Sequence, residues 1–254
     1  DDGSTDNTSE IARLAGATVL RHDTKKGKGA VIQKILAEAK RRLPDVLVLL
    51  DADCQHNPDE IPHLVQSILA GSDFVIGSRA AQADKTPRYR RIGQKIFLYL
   101  TRILSGKKVT DSESGFRALS SKTIRELTLT ENGFAVETEM IARVADKGLK
   151  ITEVPISNIY TGDGSTMNPF AHGLEVLTRI IAMISERRPL FFFGLGGGIL
   201  TIIGIIAGVR VFQIVIAGGV IPVGTTLLSV LLVIIGVFGI CTGIILNVLI
   251  KRRD

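Results

Sequence analysis

Asp51 and Asp53 stand two residues apart, directly after the apolar run Val46–Leu50. Five strongly apolar residues that stop abruptly at two carboxylates read as a buried strand delivering negative charge to the edge of a sheet. In open α/β sheets, ligands collect at the carboxyl ends of the strands. Two carboxylates held there with few neutralising neighbours suit a hard divalent cation, Mg²⁺ or Mn²⁺, and such a cation points to phosphate handling. Three further stretches carry chemistry. Asp1-Asp2-Gly3-Ser4-Thr5-Asp6 combines acidic residues, a glycine turn and helix-capping residues. Lys25-Lys26-Gly27-Lys28-Gly29 opens a helix; glycines let backbone approach a ligand, and a helix N-terminus favours an anion. The spacing of a nucleotide-hydrolase phosphate loop is absent. Arg79 follows a strand end, with Arg88, Arg90 and Arg91 in the polar stretch beyond it, and guanidinium groups suit a diphosphate. Arg79 and one of the later three are the candidates.

These side chains need a scaffold, and the first 156 residues alternate between helical and strand patterns. Helices are expected at Asp6–Ala15, Gly29–Arg42, Asp59–Leu69, Arg91–Leu104 and Gly133–Asp146. Strands are expected at Ala17–Arg21, Val46–Leu50, Asp73–Gly77 and Lys150–Pro155. This alternation argues for a mainly parallel sheet with helices on both faces. The glycine-rich segment Tyr160–Pro169 reads as a loop over the site. His172–Arg188 fits either a helix lying in a membrane interface or an ordinary helix packed on the domain.

Residues 190–209 and 211–250 contain no charged side chain. About 20 apolar residues suffice to cross a bilayer, so transmembrane helices are expected near 190–210 and 225–250, joined by the turn Ala217–Pro222. The competing reading is a buried hairpin in a soluble core. Arg187-Arg188 and Lys251-Arg252-Arg253 flank the hairpin, which places both ends in the cytoplasm. Arg210, at the far turn, runs against that bias. Net charge is +6, but four of 31 basic and one of 25 acidic residues lie in 190–254, leaving 27 and 24 before it. A balance of +3 gives no nucleic-acid surface. Cys54 and Cys241 are too differently placed to pair. The chain opens on a polar turn with no strand or signal peptide before it, and reads as a fragment lacking a first strand and helix.

Asp1-Asp2-Gly3-Ser4-Thr5-Asp6, Gly27-Lys28-Gly29, Asp51-Ala52-Asp53, Gly77-Ser78-Arg79 and Ser114-Gly115-Phe116-Arg117 occur in the order found in the inverting, GT-A-fold family 2 glycosyltransferases. The chain resembles their polyprenyl-phosphate branch, which includes the dolichyl-phosphate mannose synthases. The resemblance covers residues 1–170. It implies an α/β GT-A nucleotide-sugar-binding fold, N-terminally truncated, over 1–170, and a membrane hairpin is common after the domain in this branch. The domain expectation is completed by the amphipathic interface helix over 171–189 and the two-helix hairpin over 190–254 read above. It further implies that Asp2 contacts the nucleoside, with Lys28 also on the donor. Asp51, Asp53 and Gln55 then surround a Mg²⁺ or Mn²⁺ on the diphosphate. Arg79, and Arg88 or Arg91, match basic residues near the leaving group and the acceptor phosphate. Asp111 and Arg117 belong to the acceptor-side motif and count, with Asp53 and Arg79, as catalytic. Glu137 or Glu139 lines the same pocket, whereas His56 and His63 read as structural or surface residues.

The expected activity is transfer of one sugar from a nucleotide-sugar donor to a polyprenyl (dolichyl-type) phosphate, by a multi-pass protein with its catalytic domain on the cytoplasmic face of the cell membrane. A lipid phosphate is already anionic, so a strong base is unnecessary. Two alternatives stand: a neutral lipid or saccharide acceptor, which would need Asp111 or a nearby Glu as base, and a non-catalytic nucleotide-sugar-binding protein. Gly162–Thr166 lacks the basic residue common in this region of the family, and the absence of Trp disfavours a processive polysaccharide synthase. Gly194, Gly196, Gly197 and Gly198 would permit close helix approach, hence a homo-oligomer.

Overall fold

A computed structural model describes residues 1–80, 88–157 and 169–251, and of these the side chains of 1–80, 93–157 and 173–250. The chain forms two compact units, Asp1–Ile180 and Ile181–Asp254.

In the first unit, helices α1 (Thr8–Leu14) and α2 (Lys28–Arg42) precede strand β1 (Val46–Leu49). A 3-10 turn at Pro58–Glu60 leads into α3 (Ile61–Leu69), followed by β2 (Phe74–Ser78), α4 (Arg88–Ser105) and β3 (Arg117–Ser120). Next come α5 (Ser121–Glu126), α6 (Val136–Asp146), β4 (Ile151–Pro155) and α7 (Pro169–Arg187). Side chains alternate across β2, so Phe74 and Ile76 join α2, α5 and α6 in one core, while Val75 joins Leu64 and Ile68 of α3 in another. Covered on both faces, β2 is buried at all five positions.

The sheet is mixed and largely antiparallel, which overturns the expectation of a mainly parallel one. Its order is β1-β3-β2-β4. β3 pairs antiparallel with both β1 and β2, and only β2 and β4 pair in parallel. β1 and β2 do run the same way, but β3 lies between them and pairs antiparallel with each. Arg117-Ala118-Leu119-Ser120 has a charged head and a hydroxyl end, so it carries no apolar run to mark it as a strand. The strand expected at Ala17–Arg21 is absent; that stretch instead exchanges two backbone hydrogen bonds with Asp1, through Leu20 and His22.

This topology positions the site. β1 and β2 both run opposite to β3, so they point the same way as each other. The chain leaving β1 (Asp51, Asp53), the chain leaving β2 (Arg79) and the chain entering β3 (Asp111–Phe116) therefore meet at one edge.

In the second unit, α8 (Pro189–Ile216) packs against α9 (Val223–Lys251). The two backbones nearly touch: a Cβ on Gly197 would meet the Gly236 carbonyl oxygen at 2.4 Å, and one on Gly204 the Ser229 carbonyl oxygen at 2.9 Å. Gly197 is thus used inside the hairpin. Both helices are long and apolar enough to cross a bilayer, and only 6% and 17% of their most apolar windows are buried. That exposure favours membrane spans over a hairpin buried in a soluble core.

Candidate active site

Lys28, in the first turn of α2, reaches the sheet edge. Its Nζ lies 2.8 Å from Asp51 Oδ2 and 2.6 Å from Glu137 Oε1. Burial alone would lower the pKa of this ammonium, but the two carboxylates outweigh it and raise it. Glu137 Oε2 is buried without a hydrogen-bond partner. On its other side Asp51 is walled in by Gly115, where a Cβ would lie 2.1 Å from Asp51 Oδ2. The glycine of Ser114-Gly115-Phe116-Arg117 is required because the Asp51 carboxylate rests on its Cα.

Arg79 and Asp111 form a two-point ion pair, with Nε at 2.7 Å and Nη2 at 2.9 Å from the carboxylate oxygens; the Arg79 N–H also donates to Asp111 at 3.0 Å. Burial would raise the Asp111 pKa, but the guanidinium overcomes this and holds it below the usual carboxylate range. Glu153 of β4 anchors the loop by accepting from the backbone N–H groups of Thr110 and Asp111. Glu113 sits beside this pair with no hydrogen bond or ion pair to its carboxylate among the described residues. Burial, with Asp111 and Glu137 nearby, pushes its carboxyl up to about 7 against the opposing pull of Arg79.

Arg117 is 1% exposed and donates only to backbone: Nε to the Ser114 carbonyl, Nη1 to Glu137 and Nη2 to Ser112, at 2.7, 2.7 and 2.9 Å. Burial lowers its pKa to about 10, which leaves it charged at neutral pH. It also lies over the Phe74 ring, 5.6 Å from the centroid. This placement makes Arg117 a positioning residue that ties the 112–114 loop to the start of α6. Glu139 is similarly occupied, accepting from the backbone N–H groups of Thr130 and Glu131 and pairing with Arg143.

Asp2 accepts from the N–H groups of Lys26 and Gly27, and its Oδ1 lies 2.9 Å from His22 Nδ1. Burial opposes ionisation there, but these hydrogen bonds prevail and lower the pKa. Asp2 thereby shapes the loop that launches α2. The glycines of that loop admit protein backbone: Cβ atoms on Gly27 and Gly29 would strike the carbonyl oxygens of Asn132 and Glu131 at 2.5 and 2.0 Å. The Asn132 carbonyl accepts from the N–H groups of Gly29 and Ala30, satisfying donors at the N-terminus of α2. A cavity of about 350 Å³ lies behind this loop, lined by Lys25, Lys26, Phe134 and Arg179 among others, and contains none of the predicted carboxylates.

Asp53 is exposed, its Oδ1 accepting from the Gln55 N–H at 3.1 Å, with Cys54 between them in the left-handed region at φ 60°. His56, expected to be a structural or surface residue, is buried against Phe116 at 5.5 Å between ring centroids, with Nδ1 unpartnered. Burial, then Arg79, lowers its pKa, so it is neutral at neutral pH. His63 is exposed. The side chains of Arg88 and Arg91 lie outside the described residues, as does the loop expected over 160–169 except for Pro169.

Asp53 and Gln55 suit a divalent cation. Among the described residues no three His, Cys, Asp or Glu side chains cluster as a metal cage. Mg²⁺ characteristically takes only one or two carboxylates and completes its shell with substrate phosphates and water.

Residues 1–128 match the profile of "Glycosyl transferase family 2". Glycosyltransferase AglJ of Haloferax volcanii is 34% identical over 76% of this chain and 64% of its own. Dolichyl-phosphate hexose transferase of the same organism is 31% identical over 74% and 80%. Among solved structures, glucosyl-3-phosphoglycerate synthase from Mycobacterium tuberculosis, in complex with Mn²⁺ and UDP-glucose, superposes with TM-score 0.55 at 23% identity, over 73% of this chain and 65% of that one; this likeness bears on fold alone. The chain spans 64% to 80% of the length of these proteins. With the motifs gathered at one sheet edge and the profile match covering half the sequence, the chain belongs to glycosyl transferase family 2.

Proposed function

We propose that the protein transfers one sugar, with inversion, from a nucleotide-sugar to a polyprenyl phosphate at the cytoplasmic face of a membrane. The observation that carries this reading is the convergence of Asp51, Asp53, Arg79 and Asp111 at one edge of the sheet, in a chain that also holds two span-length apolar helices. Relatives named for dolichyl-phosphate and undecaprenyl-phosphate transfer support the acceptor class. Asp51, Asp53 and Gln55 would hold Mg²⁺ or Mn²⁺, which supplies charge stabilisation to the departing diphosphate. Arg79, kept rigid by Asp111, presents its positive charge to phosphate oxygens. Asp2 holds the loop beside the nucleoside. An anionic acceptor needs no proton removed, in keeping with a neutral, buried His56 and an Asp111 engaged by Arg79. Full-length protein incubated with labelled GDP- and UDP-sugars, polyprenyl phosphate and Mg²⁺ or Mn²⁺ should yield a lipid-linked sugar. No product with any donor would overturn the proposal.

Glu113 favours a second reading, a hydroxyl acceptor, because its high proton affinity suits a general base. A base works deprotonated, so transfer to a hydroxyl would rise as pH climbs through about 7, and Glu113→Gln would remove that limb. Transfer to a phosphate would keep its pH dependence, set by the phosphate's own second ionisation at about pH 6, in the Glu113→Gln variant. The pH–rate profile of wild type and variant separates the two.

Gly115→Ala tests the wall behind Asp51. The added methyl must displace the carboxylate by about 1 Å, and misplacements of that size cost roughly a hundredfold in rate. Initial rates on protein with unchanged thermal stability would check this.

A further inference from the structure

Lys28, Asp51 and Glu137 form an asymmetric arrangement. The Asp51 side chain is 33% exposed, that of Lys28 22% and that of Glu137 7%, so the ammonium stands between an outer carboxylate and an inner one. The outer carboxylate is backed by Gly115 and has little room to withdraw. The inner one has an oxygen, Oε2, that is buried and accepts nothing. A buried acceptor without a donor is costly, and here a three-donor ammonium is already bound to its twin oxygen.

We propose that Lys28 is a tethered stand-in for the divalent cation: it occupies Asp51 until the metal arrives, then withdraws onto Glu137, whose free Oε2 receives it. This rests on the metal reading given above and goes beyond it by naming what competes for the site. An ammonium and a divalent cation cannot share one carboxylate edge without strong repulsion. The one mobile member of the trio is the long lysine side chain. In the metal-free protein Lys28 keeps the Asp51 carboxylate from standing uncompensated. In the loaded protein it leaves Asp51 to the metal while remaining fully paired.

Competition acts through Asp51 alone, which distinguishes it from a general field effect. Free Mn²⁺, without nucleotide, can be followed by its paramagnetic resonance signal during titration of detergent-solubilised full-length protein. Lys28→Met should bind Mn²⁺ about tenfold more tightly than wild type, and Lys28→Arg, which keeps the charge, should not. In an Asp51→Asn background the gain from Lys28→Met should vanish, because no carboxylate remains to compete for. Equal affinity of Lys28→Met and wild type, or an undiminished gain in the Asp51→Asn background, overturns the proposal. Absence of Mn²⁺ binding in both wild type and Lys28→Met also overturns the proposal, while the metal reading itself, whose shell includes substrate phosphates, fails only if sugar transfer does not depend on Mg²⁺ or Mn²⁺. Thermal unfolding of each variant excludes loss of fold as the cause.

Discussion

Asp53→Ala should lower sugar transfer by about a thousandfold or more while leaving the melting temperature unchanged. The expectation follows from exposure combined with charge. Asp53 is exposed and its one hydrogen bond among the described contacts is local, from the Gln55 N–H. Exposed positions without buried partners change stability by roughly half a kcal/mol at most. The same carboxylate is the unpaired member of the Asp51-x-Asp53 motif, since Lys28 takes Asp51. Losing it removes the oxygen that would hold the cation against the diphosphate. Initial rates with labelled donor, measured beside thermal unfolding, check both halves. Near-normal turnover would take Asp53 out of the mechanism.

Arg117→Met should act the other way, through the fold. The guanidinium is the partner of three backbone carbonyls from two segments, Ser112 and Ser114 before β3 and Glu137 in α6. Methionine fills similar volume but donates nothing, so the Ser112 and Ser114 carbonyls lose their donor in a buried place and the Glu137 carbonyl keeps only its helical one. Buried unsatisfied groups cost about 1–3 kcal/mol each, and relaxation recovers part, leaving about 3–5 kcal/mol. For a unit of this size that is a drop of about 10 °C in melting temperature. Arg117→Lys should recover less than half, because one ammonium cannot reproduce a planar fork with three separate targets. Circular dichroism melts of solubilised protein measure this, and an unchanged midpoint would mean that the carbonyls find other donors.

The helices were legible because their apolar faces repeat locally: α2 and α3 begin and end within two residues of expectation. The same holds for β1, whose apolar run ends against charge. What the local pattern does not contain is neighbour identity. Periodicity marks a strand without saying which strand lies beside it, so the antiparallel insertion of β3 went unread. The site shows the same division. Asp51, Asp53, Arg79 and Asp111 announce themselves by type and position. The Lys28–Glu137 bridge joins residues more than a hundred apart and has no local signature. Glu113 and His56 are ordinary in sequence and acquire their character only from burial beside charges. Arg117 shows the converse: in sequence it is a reactive-looking cation beside a glycine motif, and in the fold its hydrogen bonds all go to backbone.

The Asn132 carbonyl that closes the first turn of α2 comes from far downstream, and this orders events in time. A ribosome adding about 5–20 residues per second emits Asn132 roughly 5–20 s after Gly29. Throughout that interval the N-terminus of α2 lacks its distant cap, and Lys28 lacks Glu137. The loop that launches α2 is therefore completed only after the segments that form β1 and β3, which bring Gly115 against Asp51, have emerged. Nascent chains that end before Glu137 carry the acidic motifs without the cradle that arranges them, so the arrangement arrives late, as a property of the finished unit.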